Sequence, residues 1–208
     1  MTSLRRKKLD NLLLKNLKYM KGHVLDIGGH KFEKRGNFLL PKENIIKWDY
    51  LNIDESKKPD ILADIETYKL EQNKYDTVLL IEVIEYIDNL ENLLKNIYQS
   101  LKNNSYLIIS APLFNSLHGD FEYDKMRYSE IKLKKSFSNV GFSIIKFNYM
   151  GGLGSVLHDF LRSYFMNSNK RIMIKTLFLF KFIFVIIDYF TSKNIKYINT
   201  GYFFILRK

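Results

Sequence analysis

Two glycines follow an apolar run that contains a single acid in residues 24–30, Val-Leu-Asp-Ile-Gly-Gly-His. The apolar residues predict a buried strand, and Gly28 and Gly29 predict a tight turn at its carboxyl end. Glycine allows a backbone to adopt positive φ and to approach a bound molecule closely, and ligands of open α/β sheets bind beyond the carboxyl ends of the strands. A carboxylate at Asp26 would hold a cation there or accept hydrogen bonds from hydroxyl groups. A strand and turn without a ligand is the alternative.

Three further segments with acids at strand ends follow in order: Tyr50–Asp54, Asp60–Ile65 and Tyr75–Tyr86. Together the four segments resemble the class I S-adenosylmethionine-dependent methyltransferases, in particular the small bacterial methyltransferase-11-like branch. Members carry D-x-G near the start, an acid after the second strand, D-I or D-A after the third, and a run similar to E-V-L-E-H after the fourth. The resemblance covers roughly residues 21–146 and resumes at 201–206.

The resemblance implies an α/β fold with a Rossmann-like, seven-stranded, mostly parallel sheet whose last strand is antiparallel. We expect flanking helices and one domain over residues 1–208. Within it, residues 1–20 predict a basic amphipathic helix, and residues 151–199 predict a helical insertion or cap between strands six and seven.

The resemblance also implies S-adenosyl-L-methionine as methyl donor and assigns a set of donor-binding positions. These are Asp26, Gly28, Gly29, His30, Asn52, Ile53, Asp54, Asp64, Ile65 and Glu82. The sequence departs from the family where His30 and Phe32 replace glycines and where Asn52 replaces the ribose-binding acid. Asn can accept one hydrogen bond and donate another, and Asp54 is an alternative ribose ligand. Each polar residue could instead be a turn residue or a helix cap.

Asp64 and Ile65 follow the third predicted strand, which we place at Asp60–Asp64. By resemblance, the Asp64 carboxylate would accept from the adenine amino group and the Ile65 amide would meet a ring nitrogen. The alternative is a loop aspartate that bonds to its own backbone.

A long polar loop follows the fifth predicted strand at residues 111–128, where an acceptor should lie. Relatives read H-x-x-x-D-x-x-R-Y/F-T/S there, a pattern that falls on His118, Asp124, Arg127, Tyr128 and Ser129. His118 would be the catalytic base for an acceptor hydroxyl, because an imidazole titrates near neutral pH. Asp124, Arg127 and Tyr128 are predicted to bind the acceptor. Arg127 would hold a phosphate or carboxylate bidentately, or would pair with Asp124.

Several elements have clear sequence signals. Tyr75–Ile81 is a continuous apolar run typical of a parallel strand with helices on both sides, and we expect this strand to continue through Tyr86. Glu130–Val140 predicts a helix that Gly141 ends. The glycines at 151–154 predict a flexible hinge.

The run Ile172–Phe190 is strongly apolar, but Lys175, Lys181 and Asp188 interrupt it. A charge at the centre of a bilayer costs about 2.5–3.5 kcal/mol, which disfavours a membrane-spanning helix. A cap over the pocket, a dimer contact or a monotopic membrane patch would each cover the apolar surface, and we favour the cap or the dimer contact.

The chain has a net charge of +11 and no cysteine. Disulfides and thiolate metal sites are therefore excluded, and we expect no metal ion. The N-terminus lacks the apolar core of a secretory signal, so we expect a cytoplasmic protein, with peripheral membrane contact as an option, that is a monomer or a homodimer.

The favoured function is O-methylation of a small-molecule, sugar or lipid-linked acceptor, such as one in surface-polysaccharide biosynthesis. A nucleic-acid-binding methyltransferase is an alternative that the charge supports. However, Ile81-Glu82-Val83-Ile84 lacks the Asn/Asp-Pro-Pro-aromatic turn used on exocyclic base amines, so nucleic acid is an unlikely partner. A catalytically inactive protein and a nicotinamide-dependent oxidoreductase are further alternatives, although the glycine spacing argues against the latter.

Overall fold

The computed structural model describes residues 2–31, 38, 41, 43–117, 122–168 and 170–208. The strands in this part of the chain are β1 Gly22–Ile27, β2 Ile45–Asn52, β3 Ile61–Leu62, β4 Tyr75–Ile81, β5 Leu101–Pro112, β6 Ser143–Tyr149 and β7 Gly201–Arg207. The helices are α1 Leu4–Leu14, α2 Leu90–Ser100, α3 Glu130–Val140, α4 Leu153–Asn167, α5 Arg171–Leu179 and α6 Lys181–Phe190.

The strands form one seven-stranded sheet in the order β3-β2-β1-β4-β5-β7-β6. β1 is parallel to β2 and β4, β4 is parallel to β5, and β7 lies antiparallel between β5 and β6. The predicted Rossmann-like fold with an antiparallel last strand is thus confirmed. Because β6 runs in the same direction as β5, the segment that joins β6 to β7 begins and ends at the carboxyl edge of the parallel strands.

Apolar side chains cover both faces of the sheet, as expected when helices flank it on both sides. One face packs against α2 and α3, where Leu94 and Phe137 are fully buried. The other face packs against α1, where Leu9 and Leu13 lie beside Phe203 of β7. This packing fixes α1 relative to the strand ends.

The N-terminal helix is shorter than the predicted segment of residues 1–20. It ends at Leu14, and a separate 3₁₀ turn follows at Leu17–Tyr19. Its buried side carries the charged residues Arg5 and Asp10 in addition to leucines. A simple amphipathic pattern therefore does not describe this helix.

The fourth strand and the helix α3 have the predicted bounds, but the predicted extension of that strand to Tyr86 is wrong. Glu82 adopts a left-handed backbone conformation with φ +56°, and Ile84–Tyr86 forms a 3₁₀ turn. The third strand, predicted over Asp60–Asp64, is limited to Ile61–Leu62. In both β3 and β4, the sequence pattern typical of a strand continues past the last residue that pairs with a neighbouring strand.

The glycines at the start of the insertion are packed, and the predicted hinge is wrong. The Gly152 and Ser155 amides donate to Asp188 Oδ1 of α6 at 3.1 and 2.9 Å, so an acid of α6 caps the positive end of α4. A Cβ on Gly154 would lie 1.9 Å from the Phe184 carbonyl oxygen. Glycine therefore allows α4 to pack directly against α6.

The apolar run Ile172–Phe190 is divided between α5 and α6, with Phe180 at the break. Among the helices that the structure describes, none combines the length and the apolar character needed to cross a bilayer.

Candidate active site

The strand register brings the predicted donor-binding residues to one edge of the sheet. Asp26 of β1 pairs with Tyr50 of β2 and Leu79 of β4, and Asn52 pairs with Leu62 of β3. The segments that follow these strands, which contain the other predicted donor-binding residues, consequently leave the sheet side by side.

The turn after β1 accommodates only glycine. Gly28 has φ +72°, and a Cβ there would lie 2.7 Å from the Val83 side chain. A Cβ on Gly29 would lie 2.5 Å from the Asp26 carboxylate and 2.8 Å from the Tyr50 ring. The backbone thus passes directly over the buried Asp26 carboxylate and forms a cradle without side chains.

Asn52 holds this cradle against the end of β2. Its Nδ2 donates to the Gly29 carbonyl oxygen at 3.0 Å, and its Oδ1 accepts from the Asp54 amide at 3.0 Å. An acid at this position would have no proton with which to bond the Gly29 carbonyl. The departure from the family pattern therefore has a structural reason in this chain.

His30, Ile53 and Asp54 are predicted donor-binding residues that lie close to Asn52 or to the cradle in sequence. Ile53 is 70% exposed, and His30 is half-buried. Asp54 Oδ1 accepts from the Ser56 amide at 2.9 Å, and this hydrogen bonding lowers the pKa of Asp54. Asp54 thus begins a 3₁₀ turn as a cap, and its role toward ribose stays a prediction.

A tether that the sequence reasoning missed joins the cradle to the start of β3. The Lys31 ammonium group binds Asp60 Oδ1, while Asp60 Oδ2 accepts from the Tyr50 amide at 3.0 Å. Lys31 lies outside the motif segments, and nothing in the sequence links it to Asp60, so only the fold reveals the pair.

Asp64 and Ile65 lie at the next strand end. Asp64 is exposed, and its Oδ1 accepts from the Glu66 amide at 2.9 Å. The Ile65 side chain is buried in the core. The carboxylate thus orders its own turn, and contact with adenine stays a prediction for both residues.

Glu82, a predicted donor-binding residue, is the centre of a largely buried polar network. Its positive φ is uncommon for a residue with a side chain, and such residues cluster at functional sites. Ser110 Oγ of β5 donates to Glu82 Oε1 at 2.5 Å and accepts from the Glu82 amide at 3.1 Å. Arg5 of α1 forms an ion pair with Glu82, and Arg5 Nε donates to the Thr200 carbonyl at 3.1 Å. Sequence reasoning missed Arg5 because it lies in a basic stretch typical of a solvated helix.

The loop before α3 is anchored beside this network. Arg127 makes a bidentate ion pair with Asp124, which is the second of the two predicted options, and this hydrogen bonding raises the pKa of Arg127. The Lys125 and Met126 amides both donate to the Glu85 carbonyl at 3.0 Å. An anion would have to share or replace the Asp124 contact, so the role of Arg127 toward an acceptor stays a prediction.

Two tyrosines lie beside this loop: Tyr86 in the 3₁₀ turn after β4, and Tyr128 at the end of the loop itself. Burial raises the pKa of Tyr86 to about 12, and the charges of Glu85 and Asp124 add to the shift. Burial also raises the pKa of Tyr128, whose hydroxyl donates to the Ile87 carbonyl at 3.3 Å. Both phenols stay protonated at neutral pH. His118, the predicted base, and Phe32 lie outside the described residues.

The edge of the sheet around Asp26 and the glycine cradle suits a ligand that carries a nucleoside and a positive charge. The cradle offers backbone without Cβ atoms above a buried carboxylate, which suits close approach of a ligand, and successive turns supply polar groups. A family model described as "Methyltransferase domain" matches residues 1–146. The chain belongs to the S-adenosylmethionine-dependent class I methyltransferases.

Solved structures share the fold of this methyltransferase. An S-adenosylmethionine-dependent methyltransferase from Archaeoglobus fulgidus is 20% identical, with a TM-score of 0.61, and the match covers 98% of this chain and 94% of that one. Phosphoethanolamine N-methyltransferase 2 of Haemonchus contortus, solved with S-adenosyl-L-methionine, is 17% identical with a TM-score of 0.57, over 96% of this chain and 52% of that one.

A further S-adenosylmethionine-dependent methyltransferase, from Leishmania major, is 21% identical with a TM-score of 0.54, and the match covers 71% of this chain. This chain spans 65% of the length of the Leishmania major protein. No curated protein matches the sequence. At these identities the solved structures show the fold, and they do not assign the acceptor.

Proposed function

We propose that this methyltransferase transfers a methyl group from S-adenosyl-L-methionine to a hydroxyl oxygen of a sugar or lipid-linked acceptor, as in surface-polysaccharide biosynthesis. The observation that carries the proposal is the composition of the acceptor side. Glu82, which the resemblance assigned to the donor, lies near the half-buried Tyr86 phenol and is hydrogen-bonded to Ser110. The Asp124 carboxylate beside them is buried and bound by Arg127. A carboxylate accepts hydrogen bonds from hydroxyl groups and a protonated phenol donates one, so Glu82 and Tyr86 suit a hydroxyl-bearing acceptor.

The helical insertion next to α1 is the feature that favours a lipid-linked acceptor. Asp159 of α4 accepts from the Leu4 and Arg5 amides at 2.9 Å, so α1 and the insertion are held together above the carboxyl edge of the sheet. The insertion carries an open apolar groove between α4, α5 and α6, with a volume of about 500 Å³. A lipid tail could occupy such a groove while a polar head reaches the site.

In this proposal the donor is held by Asp26, the Gly28-Gly29 cradle and Asn52, which lie together at the carboxyl edge of the sheet. When bound, the donor supplies a methyl carbon made electrophilic by a sulfonium. The acceptor oxygen forms the new C–O bond as the C–S bond breaks, and the electron pair stays on sulfur. The contribution of the chain is therefore alignment of the oxygen, together with removal of the hydroxyl proton, for which His118 is the predicted base.

The test is transfer of labelled methyl from the donor to a panel of sugar nucleotides, polyprenol-linked sugars, primary amines and RNA. We expect labelled methyl ethers on a sugar hydroxyl, and we expect His118→Ala to reduce turnover with little change in donor affinity. Label found only on amines or on RNA would overturn the proposed acceptor class. Donor binding without transfer to any member of the panel would also count against it.

A further inference from the structure

The helix α6 is apolar on both of its sides. Its inner side packs against α4, where the Phe184 ring contacts the ring of the buried His158 at 5.4 Å between centroids. Its outer side presents Phe182, Ile186 and Tyr189 at helical spacing, and these side chains are 54%, 48% and 75% exposed. A helix that is apolar all round is normally buried in a protein core or in a membrane.

The exposed apolar surface continues onto α5. Ile172 and Leu179 are 81% and 71% exposed. The groove between α4, α5 and α6 opens beside them and is lined by residues such as Phe165, Met173 and Leu177. An apolar surface this extensive marks a place where another molecule binds.

The charges around this surface indicate the nature of that molecule. Residues 151–199 contain seven basic residues, Arg162, Lys170, Arg171, Lys175, Lys181, Lys193 and Lys196, and two acids, Asp159 and Asp188. Both acids are engaged within the protein, because Asp159 accepts from the first amides of α1 and Asp188 accepts from those at the start of α4. Except for Arg162, each of the basic residues is exposed.

Two cations also meet at the junction of α1 and α6. The proximity of Lys181, together with partial burial, lowers the pKa of Lys7. Lys181 itself is exposed and immediately follows Phe180, which lines the groove. A cationic position therefore borders the apolar groove.

We propose that the face formed by α5 and α6 docks peripherally on an anionic lipid bilayer. Apolar side chains enter the boundary between headgroups and acyl chains, while the surrounding lysines and arginines contact anionic headgroups. A second copy of the chain is a poorer occupant of the face, because the same cationic surface would be presented from both sides. This inference does not depend on the identity of the methyl acceptor.

Co-sedimentation of the full chain with lipid vesicles tests the proposal. At about 0.1 M salt we expect binding to phosphatidylcholine vesicles that contain phosphatidylglycerol, and much weaker binding to pure phosphatidylcholine. The double variant Phe182→Ser with Tyr189→Ser should lower the partition coefficient by about tenfold or more, because it removes two large apolar side chains from the membrane contact. Ile46→Ser, which removes an 86% exposed isoleucine of β2, is the matched control and should bind as the parent does.

The electrostatic part is tested separately. Lys175→Ala with Lys193→Ala should reduce binding to the anionic vesicles by about fivefold per lysine, whereas Lys95→Ala on α2 should have no effect. Absence of binding to anionic vesicles, or equal binding by all variants, would overturn the proposal. So would a stable dimer in light scattering that Phe182→Ser converts to monomer. Titration of the same samples with S-adenosyl-L-methionine keeps this result separate from the proposed activity, since these substitutions lie outside the donor site.

Discussion

Arg5, in the first turn of α1, forms a buried ion pair with Glu82, the first residue after β4. Only a tenth or so of either side chain is accessible, at 7% for Arg5 and 13% for Glu82. The pair fixes the N-terminal helix to the carboxyl end of β4. The same helix is held at its start by Asp159 of the insertion. The arrangement of the residues around Glu82 thus depends on contacts between segments that are far apart in sequence.

Removing the Arg5 side chain is expected to destabilise the protein strongly. Arg5→Ala leaves Glu82 without its cationic partner in a buried position, and loss of one member of a buried pair typically costs about 3–5 kcal/mol. Urea unfolding measures the change in the free energy of unfolding. Lys8→Ala, on the exposed side of the same helix, should change it by less than about 0.5 kcal/mol. A small effect of Arg5→Ala would mean that the ion pair does not hold α1 in place.

The exchange Asn52→Asp separates two roles for this position. If Asn52 holds the cradle, as its hydrogen bond to the Gly29 carbonyl indicates, the exchange removes the donor and sets two acceptors against each other. We then expect a loss of about 1–3 kcal/mol of stability and weaker binding of S-adenosyl-L-methionine in calorimetry. Tighter donor binding by the variant would instead show that ribose recognition dominates at this position.

The lowered pKa of Asp49 in β2 predicts that the folded protein loses stability in acid. Burial opposes ionisation of its carboxyl group, but hydrogen bonds from Lys47 and His23 outweigh that effect and lower the pKa of Asp49. A lowered pKa in the folded state contributes stability that is fully present above the unfolded value, near 4, and is lost as the pH falls through the folded value.

Urea unfolding between about pH 2.5 and 6 checks this dependence. Asp49→Asn should be less stable than the parent near pH 6, and the difference should shrink as the pH falls below about 4. A difference that stays constant over this range would show that the charge of Asp49 does not contribute.

Local sequence signals determined much of the fold. The apolar run Tyr75–Ile81 and the capped helix Glu130–Val140 have the predicted bounds, because each is specified by its own residues and by Ser129 and Gly141 at the helix ends. The order of the strand-end motifs also led to the correct sheet type.

The parts that the sequence did not reveal depend on distant partners. Glu82 leaves the strand because Ser110 and Arg5 engage it, although its sequence context is strand-like. Gly154 suggests flexibility until the close approach of α6 is known. The sequence also could not show that the outer side of α6 is exposed, because an apolar run alone does not reveal which of its residues pack against other helices.

The central claim is that Asp26 and the glycine cradle above it bind S-adenosyl-L-methionine. Calorimetric titration of the parent chain and of Asp26→Ala with this donor tests the claim most directly, with circular dichroism to confirm that the variant is folded. We predict saturable binding by the parent chain and no detectable binding by the folded variant. No binding by the parent at millimolar donor, or unchanged affinity in Asp26→Ala, would contradict the account.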